Sequence, residues 1–519
     1  MEKSIMRREN RVALTISALV LVVYAAFRTR NYYWDGILFA LTIEESSGVT
    51  IKLFNPNHLF GNLLGVLLYW PLHALWPVLR AHAVLSAVNT AASVLACYLL
   101  FRVLQRFLHN EYYSACLTLI FAFSATWWKF STDANVYVPS VLFLVLATDR
   151  LTDTRHTADS AAIGLLHAAS MLLHQIAIFF FPAVVAALWM RERQSGNHQK
   201  VRSVLIYSIT ASLCVAAAYA WVWFTFVSGI YQGTFWNWIT ANGHEEWAFA
   251  SLGGNTWETV RSSVRVFFGG SLSLALKHID LRIQVVAGAA LLVSVIALLA
   301  AAVRAVKAWF QDDEFVEAFS HEASNFILWW VGPFFLFQFF WLTQFPYYRL
   351  FYLPGGIIGL GLLLKKYGLF QPLRNTHAVP IFLMVLVLSN FTFMIYPYSK
   401  AEASPPVRLA LEAQRMWGSD VVVYYQRLNG DDAILKYFNP QTIWRPINAE
   451  NHQAFENDLL QTLKLGKSAW MDTTALDYFN QSPTRRTWLL DHVELSPPWG
   501  VTGRKQLRIE FVRIISVRP

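Results

Sequence analysis

The side chains best suited to proton chemistry in this sequence are few, and most stand beside aromatic residues. Asp35 lies in YYWDG and is followed by Glu44 and Glu45, Asp133 lies in WWKFSTDANVYVPS, and His244, Glu245 and Glu246 are consecutive. Lys52, His58, Lys129 and Arg349 supply the basic partners. Acids next to bases suit a reaction in which a carboxylate accepts a proton from an incoming hydroxyl while cations hold a departing phosphate. Spacing excludes several other chemistries. An HExxH metalloprotease pair needs a histidine where Ala248 stands. Cys97, Cys116 and Cys214 all sit in apolar runs without CxxC spacing, so neither a disulfide framework nor a zinc site is indicated. The acids have no recognisable ligand spacing, so a divalent metal is unsupported and no cofactor is expected.

The elements that must position these groups follow from composition. With 519 residues, 55% hydrophobic and only 14% charged, the chain carries more apolar surface than a water-soluble domain can cover. We read it as a polytopic membrane protein. A spanning helix needs about 20 mostly apolar residues, fewer when aromatic and basic flanks anchor it. Eleven such runs are expected, near residues 13–27, 83–103, 113–128, 136–147, 161–173, 176–190, 204–227, 283–303, 326–342, 350–364 and 379–396. The net charge of +9 falls in clusters between them, which marks cytoplasmic loops rather than a nucleic-acid surface.

Loop charge also decides the fate of a twelfth apolar run, Leu59 to Leu79, broken by Pro71 and Pro77. If it lies along the outer interface, Arg102 with Arg106, Arg150 with Arg155, Arg191 with Arg193, Arg304 with Lys307 and Lys365 with Lys366 all face the cytoplasm, as do Arg7, Arg8 and Arg11. Letting it cross would put every later cluster outside. The amino terminus is therefore expected inside, and the outer regions are 28–82, 228–282 and everything after Tyr398. The expected division is a membrane domain over 1–397, with 28–82 as its interfacial first outer loop, and an extracytoplasmic α/β domain over 398–519. In that last region β-prone runs (Asp420 to Tyr425, Thr442 to Ile447, Ser468 to Asp472 and RIEFVRII near the end) alternate with helical stretches such as Ala454 to Leu465. Ser404-Pro405-Pro406 marks the linker into it.

Each candidate also has a plain structural reading. Asp35 is placed to cap a helix over 36–44, and Asp133 to cap the fourth span. Glu44 and Glu45 read as solvated acids, and Lys129 as a side chain snorkelling to headgroups. His167 and His174 read as hydrogen-bonded bundle histidines. Trp236, Trp238, Trp247 and Trp257 read as interfacial anchors.

The order of motifs is similar to that of the C-type membrane glycosyltransferases, which include protein O-mannosyltransferases and aminoarabinose transferases. The resemblance rests on YYWDG with Asp35, FNPNHLFGNLLG at Phe54 to Gly65, Asp133 beyond the third span, and FPYYRLFYLP with Arg349. It covers about the first 400 residues; the family's paired prolines, preceded by His or Lys, are here Asn55-Pro56-Asn57-His58. It implies a single displacement that inverts the anomeric centre: Asp35 takes the acceptor's proton, the hydroxyl attacks the sugar, and polyprenyl phosphate leaves. Asp133 joins Asp35 as a catalytic residue, and Lys52, His58, Tyr137, His244 and Arg349 are the expected substrate-binding set. The implied partners are a lipid-linked sugar donor, a protein, lipid or glycan acceptor, and membrane lipids, in the cytoplasmic membrane. No nucleotide site is then required, in keeping with the lack of a phosphate-cradling glycine loop. Two other classes fit the same spans: a transporter or flippase of lipid-linked saccharides, and a membrane-anchored assembly or binding protein.

Overall fold

A computed structural model describes all of the chain except residues 1, 154–158, 195–199, 241–246, 248, 250, 273–274, 277–278, 311–320, 367–376, 418–419, 427–430, 448–451, 481, 484–485, 488–492, 497–498, 502–508 and 518–519. It forms two compact units, one of residues 1–29 with 42–397 and the other of 30–41 with 398–519.

The first unit is helical, and every one of the eleven apolar runs is helix. In chain order the helices are α1 (Glu2–Ala26), α2 (Trp34–Glu45, of which residues 34–41 are counted in the second unit), α3 (Gly61–Leu75), α4 (Ala81–Leu108), α5 (Glu111–Phe123), α6 (Ala125–Ser131), α7 (Tyr137–Thr152), α8 (Ser160–Leu173), α9 (Phe181–Gln194), α10 (Lys200–Val222), α11 (Phe235–Ile239) and α12 (Leu252–Phe267). Helices Leu281–Phe310, His321–Phe340, Leu353–Lys366 and Ala378–Asn390 follow. Among the described residues, four segments are long and apolar enough to cross a membrane: Glu9–Ala26, Ala81–Leu108, Val201–Val227 and Ala378–Tyr398.

Several of the runs are interrupted, which the sequence reading does not anticipate. Ser124 is extended (φ −61°, ψ 137°) and splits the third run into α5 and α6. The sixth run opens as a 3₁₀ turn, Gln175–Phe180, before α9. Two others end in π turns, Trp223–Val227 and Phe391–Ile395. Freed backbone groups at such breaks need partners inside the protein. Asn390 supplies them at one break: it is fully buried, its Oδ1 accepts from Gly269 N at 3.0 Å, and its Nδ2 donates to Phe123 O (2.9 Å) and Phe267 O (2.6 Å). One amide thus ties the ends of α5 and α12 to the start of a π turn. The neighbouring Gly270 is left-handed (φ 85°), and a Cβ there would clash with the Phe393 carbonyl, so only glycine fits.

The run Leu59 to Leu79 becomes α3, with Pro71 inside it. Gly61, Asn62, Gly65, Val66 and Tyr69 are buried, whereas Leu67, Leu75 and Trp76 stand exposed. Pro71 does not break α3, and the exposed residues give the segment an apolar outer face.

The second unit carries a six-stranded sheet of order β2-β1-β3-β6-β4, with β5 also on β6. Strands β1 (Val421–Tyr425), β2 (Ile443–Pro446) and β3 (Ser468–Asp472) run parallel; β6 (Ile509–Val517) is antiparallel to β3, β4 (Val493–Leu495) and β5 (Trp499–Val501). Central strand β1 is buried on both faces: Val422 and Tyr424 pack with Phe455, Leu459 and Met471, while Val421, Val423 and Tyr425 pack with Leu409, Trp417 and Leu435. Helices on both sides of a largely parallel core explain its uninterrupted apolar spelling, VVVYY. The four strands expected from sequence are present, and so is helix His452–Lys464; the three-residue strands β4 and β5 are additions. Residues 30–41 join this unit through a hydrogen bond from Arg30 N to Tyr398 O (2.6 Å) and a stack of Tyr32 on Phe438 at 5.2 Å.

Replacing Asn390 by alanine strands one buried N–H and two carbonyls, so a loss of roughly 2–4 kcal/mol is expected. A clear fall in the thermal midpoint in detergent relative to the parent is the expected result; an unchanged midpoint would rule the clamp out.

Candidate active site

The expected site residues fall into both units. Asp35 belongs to the second. Its helix starts at Trp34, so Asp35 occupies the first turn and not the cap position expected of it. Burial raises its carboxyl above the usual aspartate range, tempered by a hydrogen bond from the Tyr33 side chain. A carboxylate held partly desolvated is a stronger proton acceptor than one in water.

In the first unit, Asp133 is completely buried. It does not cap the following helix; Asn135 instead satisfies a first-turn N–H of that helix, its Oδ1 accepting from Val138 N at 3.1 Å. Asp133 Oδ1 instead meets His82 Nε2 at 3.1 Å and accepts from Ala134 N at 2.8 Å. Asn89 Nδ2 fixes the loop from outside by donating to Asp133 O (2.6 Å) and Asn135 O (3.0 Å). His82 escaped the sequence reading, because nothing in its neighbourhood distinguishes it from any residue opening α4.

Lys129 is half-buried rather than free in solvent. It lies one residue beyond the apolar run 113–128, its Nζ sits 5.8 Å from the centre of the Phe130 ring, and among the described residues its ammonium makes no hydrogen bond or ion pair. Burial pulls its ammonium below the ordinary lysine range, against the opposing pull of Asp133. Glu44 is likewise not a free solvated acid. Arg80 Nε donates to both of its oxygens (3.0 and 2.9 Å), and Ala81 N donates to Oε1 at 2.7 Å, so Glu44 holds the start of α4. Glu45 is exposed, as expected.

The turn Asn55-Pro56-Asn57-His58 is set by its own side chain: Asn55 Oδ1 accepts from Asn57 N at 2.9 Å, a local turn that asparagine favours. Pro56 O accepts from the Tyr219 hydroxyl (2.5 Å), and Asn57 O accepts from Gln175 N (3.0 Å). This brings His58 against His174, whose ring centres are 4.5 Å apart. Tyr137 stands 6.3 Å from His58 and 5.0 Å from His174; Tyr347 and Tyr348 lie 5.2 and 5.8 Å from Tyr137. His58 and Tyr137, both named from the sequence, therefore share one aromatic cluster. His167, by contrast, is a bundle histidine as expected, bonded to the Tyr207 hydroxyl (2.6 Å) and Ala177 O (2.8 Å).

Arg349 rises into the same region on the 3₁₀ turn Pro346–Phe351 that carries Tyr347 and Tyr348. It is 2% exposed. Its Nε and Nη2 donate to Ser262 Oγ (2.9 and 2.5 Å), Nη2 also to Thr343 O (3.1 Å), and Nη1 to the Tyr352 hydroxyl (2.7 Å). Every acceptor is neutral: among the described residues Arg349 has no carboxylate partner. Lys52 stands apart, exposed on the turn Ile51–Leu53, without a hydrogen bond or ion pair among the described residues. His244 lies outside the described residues.

With this geometry in place, comparison with solved structures finds a match over nearly the whole chain. The crystal structure of ArnT from Cupriavidus metallidurans bound to undecaprenyl phosphate superposes with a TM-score of 0.58, at 10% identity, over 96% of this chain and 97% of that one. The two chains share a fold. The structure of ArnT in the apo state covers the same shares at 13% identity, with a TM-score of 0.48. No protein-family profile and no curated protein matches the sequence. The polytopic helical architecture with a small sheet, expected from the apolar runs and from the alternating β-prone runs after Tyr398, is thus the ArnT fold.

Burial holds the His58 imidazole down to about 4, partly offset by a backbone hydrogen bond at Leu173. A histidine whose folded value is depressed stabilises the fold above its unfolded value near 6.5 and loses that contribution as pH falls from there towards 4. Stability should therefore decline over that window, and His58→Gln should flatten the decline in urea titrations at several pH values. An identical slope in both proteins would contradict a buried neutral His58.

Proposed function

We propose that this chain is a membrane glycosyltransferase that moves a sugar from a polyprenyl-phosphate donor to an acceptor hydroxyl at the outer face of the cytoplasmic membrane. The observation that carries the reading is Arg349. A buried guanidinium without a counter-ion costs several kcal/mol unless another charge compensates it, and a protein retains such an arrangement where a ligand brings the anion. Lys129 adds a second cation without an ion-pair partner among the described residues, and Phe130 beside it packs on Tyr347 at 5.5 Å, two residues from Arg349. Both cations thus belong to the elements around one aromatic cluster. The ArnT structure that shares this fold was solved with undecaprenyl phosphate, a lipid that supplies such a charge.

In the proposed reaction Asp35 accepts the proton of the acceptor hydroxyl, whose oxygen attacks the anomeric carbon as the bond to the phosphate oxygen breaks, with inversion. Negative charge grows on the leaving phosphate, where Arg349 and Lys129 stabilise it through a water-poor interior. The Tyr352 hydroxyl accepts from Arg349 and keeps its own proton to offer; polarisation by the guanidinium makes it a better donor to an anion. Asp133, held by His82 and Asn89, offsets Lys129 and keeps the cluster from excess positive charge. The leaving group is the lipid phosphate itself, so the reaction requires no nucleotide, and a divalent metal has no part in this scheme. The topology that goes with it is eleven spans, the amino terminus in the cytoplasm, and the α/β domain outside.

The test incubates purified protein with a panel of polyprenyl-phosphate sugars and an acceptor, comparing Asp35→Asn with the parent. Loss of about 10²–10⁴ in kcat is expected for removing the base, and the acid limb of the parent's pH profile should lie above the ordinary aspartate value of 3.8. Equal turnover in both proteins would refute the assignment.

A further inference from the structure

Several buried side-chain polar atoms lack a hydrogen-bond partner among the described residues, and one of them, on His174, lies in the aromatic cluster and has no part in the mechanism above. His174 terminates α8 in an extended conformation (φ −159°, ψ 119°) and is 4% exposed. Its Nδ1 accepts from Ile176 N at 3.3 Å, which places the ring proton of the neutral tautomer on Nε2. That Nε2 is buried and has no hydrogen-bond partner among the described residues. Buried N–H donors without an acceptor are rare, because stranding one costs free energy that a small change of rotamer normally avoids. Here the neighbours are rings: His58 at 4.5 Å, Tyr137 at 5.0 Å, Phe351 at 5.0 Å and Tyr348 at 5.9 Å.

Those rings differ in exposure. Tyr137 and Phe351 are buried and form a floor, whereas His58, Tyr347 and Tyr348 are half-buried and form a rim. A binding site with apolar ring faces and one oriented donor fits a ligand that is itself two-sided, with C–H faces and hydroxyl edges. A sugar has that form, and a bare phosphate does not.

We infer that His174, with Tyr137 and Tyr348, forms the subsite for the sugar ring of the donor, His174 Nε2 donating to a ring hydroxyl and the tyrosines packing against its faces. This rests on the glycosyltransferase reading and adds to it a division of labour: Arg349 and Lys129 answer the phosphate, and His174 answers the carbohydrate. Because Nε2 is buried, a ring of the half-buried rim must move for the hydroxyl to reach it. Discrimination follows from the stranded donor, since a sugar lacking the matching hydroxyl leaves Nε2–H unpaired in the complex.

The experiment measures binding of two lipids to the full chain in detergent: polyprenyl phosphate, and the polyprenyl-phosphate sugar from the panel that the parent retains best. The quantity read is the ratio of the two affinities, so any fraction of unfolded variant cancels. His174→Phe keeps a ring of similar size and removes the donor. It should lower the ratio about tenfold, as expected for losing a buried hydrogen bond. His174→Gln restores an N–H donor and should recover much of the ratio. An unchanged ratio in His174→Phe would overturn the subsite alone. A parent that binds neither lipid would overturn the glycosyltransferase reading beneath it as well.

Discussion

A guanidinium folded into the interior with only neutral acceptors around it is the constraint on which the rest of this structure depends. Arg349 is held by Ser262, Thr343 and Tyr352 in a geometry that satisfies its hydrogen bonds and leaves its charge uncompensated. Hydrogen bonds fix where the charge sits; they do not neutralise it. The helices of the first unit therefore hold a positively charged interior poised for an anion, and Lys129, paired with nothing among the described residues, reinforces it. Asp133 is close enough to pull on Lys129, yet its Oδ1 is committed to His82 and Ala134.

The functional groups share a second property, which is that they sit where helices break. Lys129 follows the interruption at Ser124, His174 stands between α8 and a 3₁₀ turn, Arg349 rides on another 3₁₀ turn, and His58 closes an asparagine turn before α3. In an apolar surrounding, irregular backbone survives only where protein groups satisfy it. The same breaks that cost hydrogen bonds release side chains from helical spacing and let residues far apart in sequence meet. His58, Tyr137, His174 and Tyr348 form one cluster on four different segments for that reason.

Much of the architecture was legible beforehand, and the reason is physical. Long apolar runs can only be helices in a membrane, and the VVVYY and SAWMD runs were read as strands from their residue types and bounds. The breaks inside those runs were not legible: Ser124 and His174 look like ordinary polar residues in apolar stretches, and nothing local says that the backbone turns extended there. The same gap made His174 read as a bundle histidine alongside His167, although one is fully bonded and the other is not. Glu44 was read as solvated because its partner, Arg80, lies 36 positions away, a pairing that no periodicity encodes. His82 was invisible for a related cause, since its importance comes wholly from Asp133 in the loop between α6 and α7. The cluster of His58 with Tyr137 could be named because each lay in a motif, but their meeting depends on the turn at Asn55.

The central claim is that the interior charge around Arg349 is completed by the phosphate of a lipid. It is tested most directly by native mass spectrometry of the full chain in detergent, offered polyprenyl phosphate and the matching polyprenol in equal amounts. The account predicts that the phosphorylated lipid is retained and the alcohol of the same chain length is not. Equal retention of the two would mean that the lipid is held by its hydrocarbon alone, and the role assigned to the buried cations would be wrong.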